Sequence, residues 1–269
     1  MKNFQSQKLL GLSLILATVF LSSCSPQVDN ISESTSPPVY LPEPASKREI
    51  QFSDFTWLVK HGSHLGPGPN YFSDSPEDIW VDQQGKLHMN ILQRDEKWYC
   101  TEVVAKESLG YGSYVMTLDN RVDTLDENII LGFFTWDTDA PQFNHREIDF
   151  EFGRWQDPKN KSSQFVIQPW DTEGNRYRYE IDYTDRAETT THVMTWKPEG
   201  ISFVSYYGKY TQNPLPENVI VMWFYDGKDN PPPGGENIRI NFWLVWGEAP
   251  TDGKDVEMII SDFKFLPVD

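Results

Sequence analysis

Cysteine is nearly absent from this chain: its 269 residues include two, Cys24 and Cys100. A framework of disulfides, the usual staple of small exported domains, is therefore excluded. Histidine is scarce too, and the residues at positions 61, 64, 88, 145 and 192 do not fall at zinc-site spacings. No metal and no cofactor is implied. Positive charge is in deficit, with 23 Lys and Arg against 40 Asp and Glu for a net −17 at pH 7. Such an excess repels polyanions and argues against nucleic acid as a partner. Sustained helical periodicity is missing, and so is an apolar run long enough to span a bilayer, since the stretch from Leu9 to Leu21 falls short of about 20 residues.

That stretch has a different meaning. Lys2 and Lys8 precede it and Leu21-Ser22-Ser23-Cys24 follows, the order of an export signal over 1–23 ending in what resembles a bacterial lipobox. Cys24 is then the lipidated mature N-terminus of an exported bacterial lipoprotein. It would be anchored at the periplasmic or cell surface through lipid alone, without spanning the membrane. Residues 24–47 are rich in Ser and Pro and read as a disordered tether. Residues 48–269 fit a single folded domain, expected to be monomeric, with Cys100 as a buried structural thiol.

Within that domain, short apolar or alternating segments follow one another. They run from Ile79–Val81 and Leu87–Leu92 through Trp98–Ala105, Gly112–Leu118, Ile129–Trp136, Glu147–Phe152, Gln164–Gln168 and Arg176–Tyr183. His192–Trp196, Ile201–Tyr206, Val219–Tyr225, Ile238–Trp246 and Val256–Phe265 complete the series. Turn signals such as Gln84-Gly85 and Pro231-Pro232-Pro233-Gly234-Gly235 separate them. Many strands without helices predict an all-β domain, a sandwich or jelly roll of two antiparallel sheets.

One segment stands out chemically. In Glu147-Ile148-Asp149-Phe150-Glu151, acidic residues alternate with large apolar ones. On an extended strand Ile148, Phe150 and Phe152 face a core while Glu147, Asp149 and Glu151 crowd together on the opposite face. An acidic alternation is often only a solvated sheet face, but like charges held this close repel. Glycoside cleavage requires two nearby carboxyl groups in opposite protonation states. The aromatics of Phe133-Phe134-Thr135-Trp136, Arg154-Trp155 and Gln168-Pro169-Trp170 suit a cleft for sugar rings, which combine apolar faces with a hydroxyl rim. Gly66-Pro67-Gly68-Pro69 reads as a rigid turn at a cleft edge; it lacks the context of a phosphate loop.

Five further segments occur in register with this motif: Thr101-Glu102, Gly110-Tyr111-Gly112-Ser113-Tyr114, Phe133-Phe134-Thr135-Trp136, Met194-Thr195-Trp196-Lys197-Pro198 and Asn241-Phe242-Trp243. Together they resemble glycoside hydrolase family 16, in its lichenase-like branch with the compact Glu-x-Asp-x-Glu motif, from about Asn70 to the C-terminus. The resemblance implies a jelly roll with the motif strand on a concave, cleft-forming sheet. It also implies Glu147 as nucleophile, Glu151 as acid/base and Asp149 as their assistant, in a reaction that retains anomeric configuration. Sugar contacts would fall on Asn70, Glu102, Trp136, Asn241 and Trp243, although plain core packing for the tryptophans and a turn role for Asn70 are alternatives. Val104, Val166 and Gln168 stand where lichenases tend to carry polar or aromatic residues. The implied activity is internal cleavage of a β-linked polysaccharide, a β-glucan first of all. A surface-tethered, non-catalytic carbohydrate-binding protein on the same sandwich is the other reading.

Overall fold

The computed structural model describes residues 45–268. The export signal, Cys24 and most of the predicted tether lie outside the described residues. In chain order the strands are β1 (Ala45–Phe52), β2 (Phe55–Lys60), β3 (Gly62–Leu65), β4 (Asn70–Phe72), β5 (Ile79–Val81) and β6 (Leu87–Arg94). Next come β7 (Lys97–Ala105), β8 (Gly112–Leu118), β9 (Ile129–Trp136), β10 (Ile148–Phe152), β11 (Ser163–Ile167) and β12 (Arg176–Tyr179). The last are β13 (Thr190–Lys197), β14 (Gly200–Tyr207), β15 (Val219–Tyr225), β16 (Asn237–Leu244) and β17 (Val256–Pro267). Strand β1 takes up the last three residues of the predicted tether, because Ala45 already pairs with Lys60.

The strands form two antiparallel sheets, as expected. One runs β1-β2-β7-β16-β9-β10-β11-β12. The other runs β5-β6-β17-β8-β13-β14-β15. The β6–β7 hairpin crosses between them, and β4 adds a short parallel pairing to β7. Hairpin turns at Ser53-Asp54 and Asp95-Glu96 place both central residues at positive φ without a glycine. This is the backbone that matches the twist of the flanking strands.

The sheets close over an aromatic core. Phe150 of β10 is fully buried and meets Phe133 and Phe165 on its own sheet. Across the interface it meets Phe203 and His192. Burying each such ring contributes about 1.5–3 kcal/mol. Strand β10 is thereby held from behind, with its other face left for chemistry.

Candidate active site

Alternation along β10 sends Ile148, Phe150 and Phe152 inward and leaves Asp149 and Glu151 on the outer face. Glu147 stands just before the strand, at the end of the 3-10 segment Pro141–Arg146, so the strand is one residue shorter than its sequence suggests. Antiparallel register then carries the site across the whole sheet. One rung holds Glu102, Asn241, Gly132, Glu151, Gln164 and Arg178. The next holds Val104, Arg239, Phe134, Asp149, Val166 and Arg176.

Two adjoining cavities lie above these rungs. The first, of about 350 Å³, is lined by Glu147, Asp149, Glu151, Trp136, Asn241 and Trp243, among others. The second, of about 560 Å³, lies over β11 and β12; Pro67, Glu151 and Trp243 border both. The Gly66-Pro67 turn forms a cleft edge, as its sequence suggests. Gly132 makes room on the floor, where a Cβ would lie 2.3 Å from Asn241 Oδ1.

All three motif carboxyls bind protons more tightly than ordinary carboxylates. Burial, together with the charge of Glu151, pushes Glu147 up to about 8. Burial pushes Glu151 up to about 7, against the pull of a hydrogen bond from Gln164 Nε2 at 2.5 Å and the nearby cations Arg178 and Arg176. Asp149, which is 2% exposed, is raised well above the usual range by burial and by the charges on both sides. A protonated Asp149 donates to Glu147, which favours the ionised form of Glu147 and the neutral form of Asp149. Cα atoms four residues apart on a strand are about 13 Å apart. Glu147, Asp149 and Glu151 nevertheless line one cavity.

The residues expected to touch sugar separate into groups. Trp136, Asn241 and Trp243 line the first cavity. Trp136 lies flat on His145, with ring centroids 4.2 Å apart, and Asn241 Oδ1 is buried without a hydrogen-bond partner. Glu102 also borders the cavity, but its oxygens are engaged by Lys60 Nζ at 3.0 Å and Arg239 Nη1 at 3.5 Å. It orients those two cations. Asn70 is buried behind the cleft wall: its Nδ2 donates to Pro67 O and Leu244 O, both at 2.8 Å. Its Oδ1 accepts from the buried Cys100 thiol, which burial raises to about 12. Both polar atoms of this side chain thus have partners within the protein, an arrangement that suits its turn role.

Several cleft residues are not singled out by the sequence. Lys60 and Arg239 sit on apolar strands and meet Glu102 only once β2, β7 and β16 assemble. Arg239 pairs across from Val104 on the neighbouring strand. Trp246 was expected to end a strand, but β16 stops at Leu244 and the chain turns, leaving Trp246 69% exposed beside the second cavity. Gln164 reaches Glu151, and Gln168, which the sequence does single out beside Trp170, reaches Asp149.

No protein-family model and no curated protein sequence matches the chain. Solved structures do. The chain has the β-glucanase fold. Bacillus licheniformis β-glucanase aligns with a TM-score of 0.56 at 16% identity, covering 79% of this chain and 92% of that one. A laminarinase from Flavobacterium sp. UMI-01 aligns at 0.59 with 13% identity, covering 78% and 92%. A Bacteroides ovatus mixed-linkage glucan GH16 protein, solved with a G4G4G3G product, aligns at 0.58 with 13% identity, covering 78% and 94%. On this glucanase fold the motif carboxyls of β10 face the cleft and their intervening apolar residues face the core.

Proposed function

We propose that this protein is a retaining, endo-acting glycoside hydrolase of a β-linked polysaccharide, most readily a neutral or weakly charged β-glucan. The observation that carries the reading is the meeting of Glu147, Asp149 and Glu151 in one aromatic-walled cavity, each with raised proton affinity. A protein that only bound sugar would gain nothing from holding three carboxyls against their mutual repulsion. The β-glucan preference draws on the substrates named for the structural neighbours.

In this reading Asp149 keeps the proton it shares with Glu147, which leaves Glu147 as the carboxylate that attacks the anomeric carbon and forms a glycosyl ester. The glycosidic C–O bond breaks as Glu151 gives its proton to the departing oxygen. Glu151, now a carboxylate, takes a proton from water as that water attacks the same carbon and releases Glu147. Asp149 donates to Glu147 between turnovers, and Gln164 keeps Glu151 aimed at the bond. Unsatisfied Asn241 Oδ1 and Gln164 Oε1 offer acceptors to sugar hydroxyls. The enzyme would work outside the cytoplasm, anchored through a lipid on Cys24 at the end of the Ser/Pro-rich tether.

The test is reducing-sugar release from a panel of β-glucans and algal galactans, run beside a pull-down on the same polymers. A spread of oligosaccharides is expected early. Glu147→Gln and Glu151→Gln should each lower kcat by at least about 10²-fold, with azide restoring turnover of an activated substrate by Glu151→Gln. Retention on a polymer that the wild type leaves uncut would instead identify a carbohydrate-binding protein. Wild-type turnover by either variant refutes the assigned roles.

A further inference from the structure

Beyond Glu151 the cleft changes character. The second cavity is bordered by Trp170 and Trp246, 54% and 69% exposed, and by two guanidinium groups, those of Arg176 and Arg178. The arginines are two residues apart on β12, so both face the cleft, at the outer ends of the rungs that carry Asp149 and Glu151. Among the described residues neither closes a salt bridge. Arg176 rests over the Trp170 ring, 5.2 Å from its centroid. Arg178 Nε is buried without a hydrogen-bond partner, and Trp155 Nε1 on the same cavity is likewise unpartnered. Glu151 is the one acidic residue lining this space. In a chain of net charge −17, half of the cleft thus carries excess positive charge.

A buried cationic N–H without an acceptor is costly and calls for a ligand or water. Part of the arginines' effect falls on Glu151, whose proton affinity they lower. That effect leaves unexplained the orphaned Nε and the second arginine laid on an exposed indole. We propose that this half of the cleft is a subsite for a sugar unit bearing a carboxylate. The guanidinium groups of Arg176 and Arg178 would hold the carboxylate, and the indoles of Trp170 and Trp246 would hold the ring. The planar fork of a guanidinium matches a carboxylate in both shape and charge. The inference rests on the hydrolase reading and narrows its substrate to a β-linked polymer carrying sparse carboxylates. Long-range repulsion from the acidic surface, screened beyond about 10 Å, disfavours densely charged polymers. A single carboxylate in contact with two guanidinium groups gains more than it loses.

The test uses the full chain with Glu147→Gln, a side chain that lines the first cavity and not the second. It compares calorimetric binding of a neutral β-glucan oligosaccharide with that of the same oligosaccharide oxidised at primary alcohols to carboxylates. The oxidised ligand should bind on the order of tenfold tighter, and the gain should shrink as salt rises. The preference should vanish in an added Arg176→Gln/Arg178→Gln background, while the exposed Arg176→Gln alone should remove part of it. Equal affinity for the two ligands, or a preference that survives the double substitution, overturns the proposal. The readout is binding, so failure of the hydrolase reading appears separately, as wild-type protein that releases no reducing sugar from either form.

Discussion

Glu151→Gln should make the protein more stable above neutral pH, even as it abolishes hydrolysis. Burial raises Glu151 from its ordinary 4.5 to about 7. The folded site keeps a proton that the unfolded chain releases from 4.5 upward, so stability declines as pH climbs from 4.5 to about 7. At about 1.4 kcal/mol for each tenfold change in proton affinity, the loss is on the order of 3 kcal/mol. Glutamine carries no titrating proton and still accepts from Gln164 Nε2, so it escapes the loss without opening a gap. In a domain of this size, a gain on the order of 3 kcal/mol raises Tm by roughly 6–12 °C. Calorimetric melts of wild type and variant at acid, neutral and mildly alkaline pH provide the assay. The curves should coincide near pH 4 and separate progressively up to about pH 8, with the variant higher. Parallel curves, or a less stable variant at pH 8, would refute the assignment of buried, raised carboxyls.

Gly132→Ala inserts a Cβ 2.3 Å from Asn241 Oδ1 and should lower kcat/KM by on the order of tenfold or more while costing about 1–3 kcal/mol in stability; kinetics and urea melts measure both. Phe150→Ala, which removes the ring packed on Phe203 and His192, should cost about 3–5 kcal/mol by urea unfolding, with activity lost in step. Labelled palmitate should enter the precursor at Cys24, and Cys24→Ala should release soluble protein; an unlipidated N-terminus elsewhere would refute the anchor.

The sequence reveals the site's chemistry more readily than its supports. Gly112–Leu118, Ile129–Trp136 and Val219–Tyr225 are strands with the ends their patterns suggest, since each is an apolar run bounded by turn residues. Strands β1 to β4 lack a clear apolar pattern, although Gly66-Pro67-Gly68-Pro69 separates the last two. Their first hairpin turns at Ser53-Asp54 without the expected glycine, and β3 and β4 are only 4 and 3 residues long. The Lys60–Glu102–Arg239 cluster joins residues far apart in the chain, and no local pattern encodes it. Trp246 escapes strand logic because the chain turns to positive φ there, which aims an aromatic outward where periodicity aims it in. Asn70 makes the local turn bond that its residue type favours, to Pro67 O.

The period-two pattern of β10 makes this site all-or-none. If the strand slipped by one residue against β9 and β11, Asp149 and Glu151 would enter the aromatic core and Ile148, Phe150 and Phe152 would line the cleft. A one-residue slip thus leaves neither carboxyl of β10 in the cleft. Catalytic activity in this chain would therefore report correct strand pairing directly, and a refolding experiment followed by activity would count molecules in register without a separate structural probe.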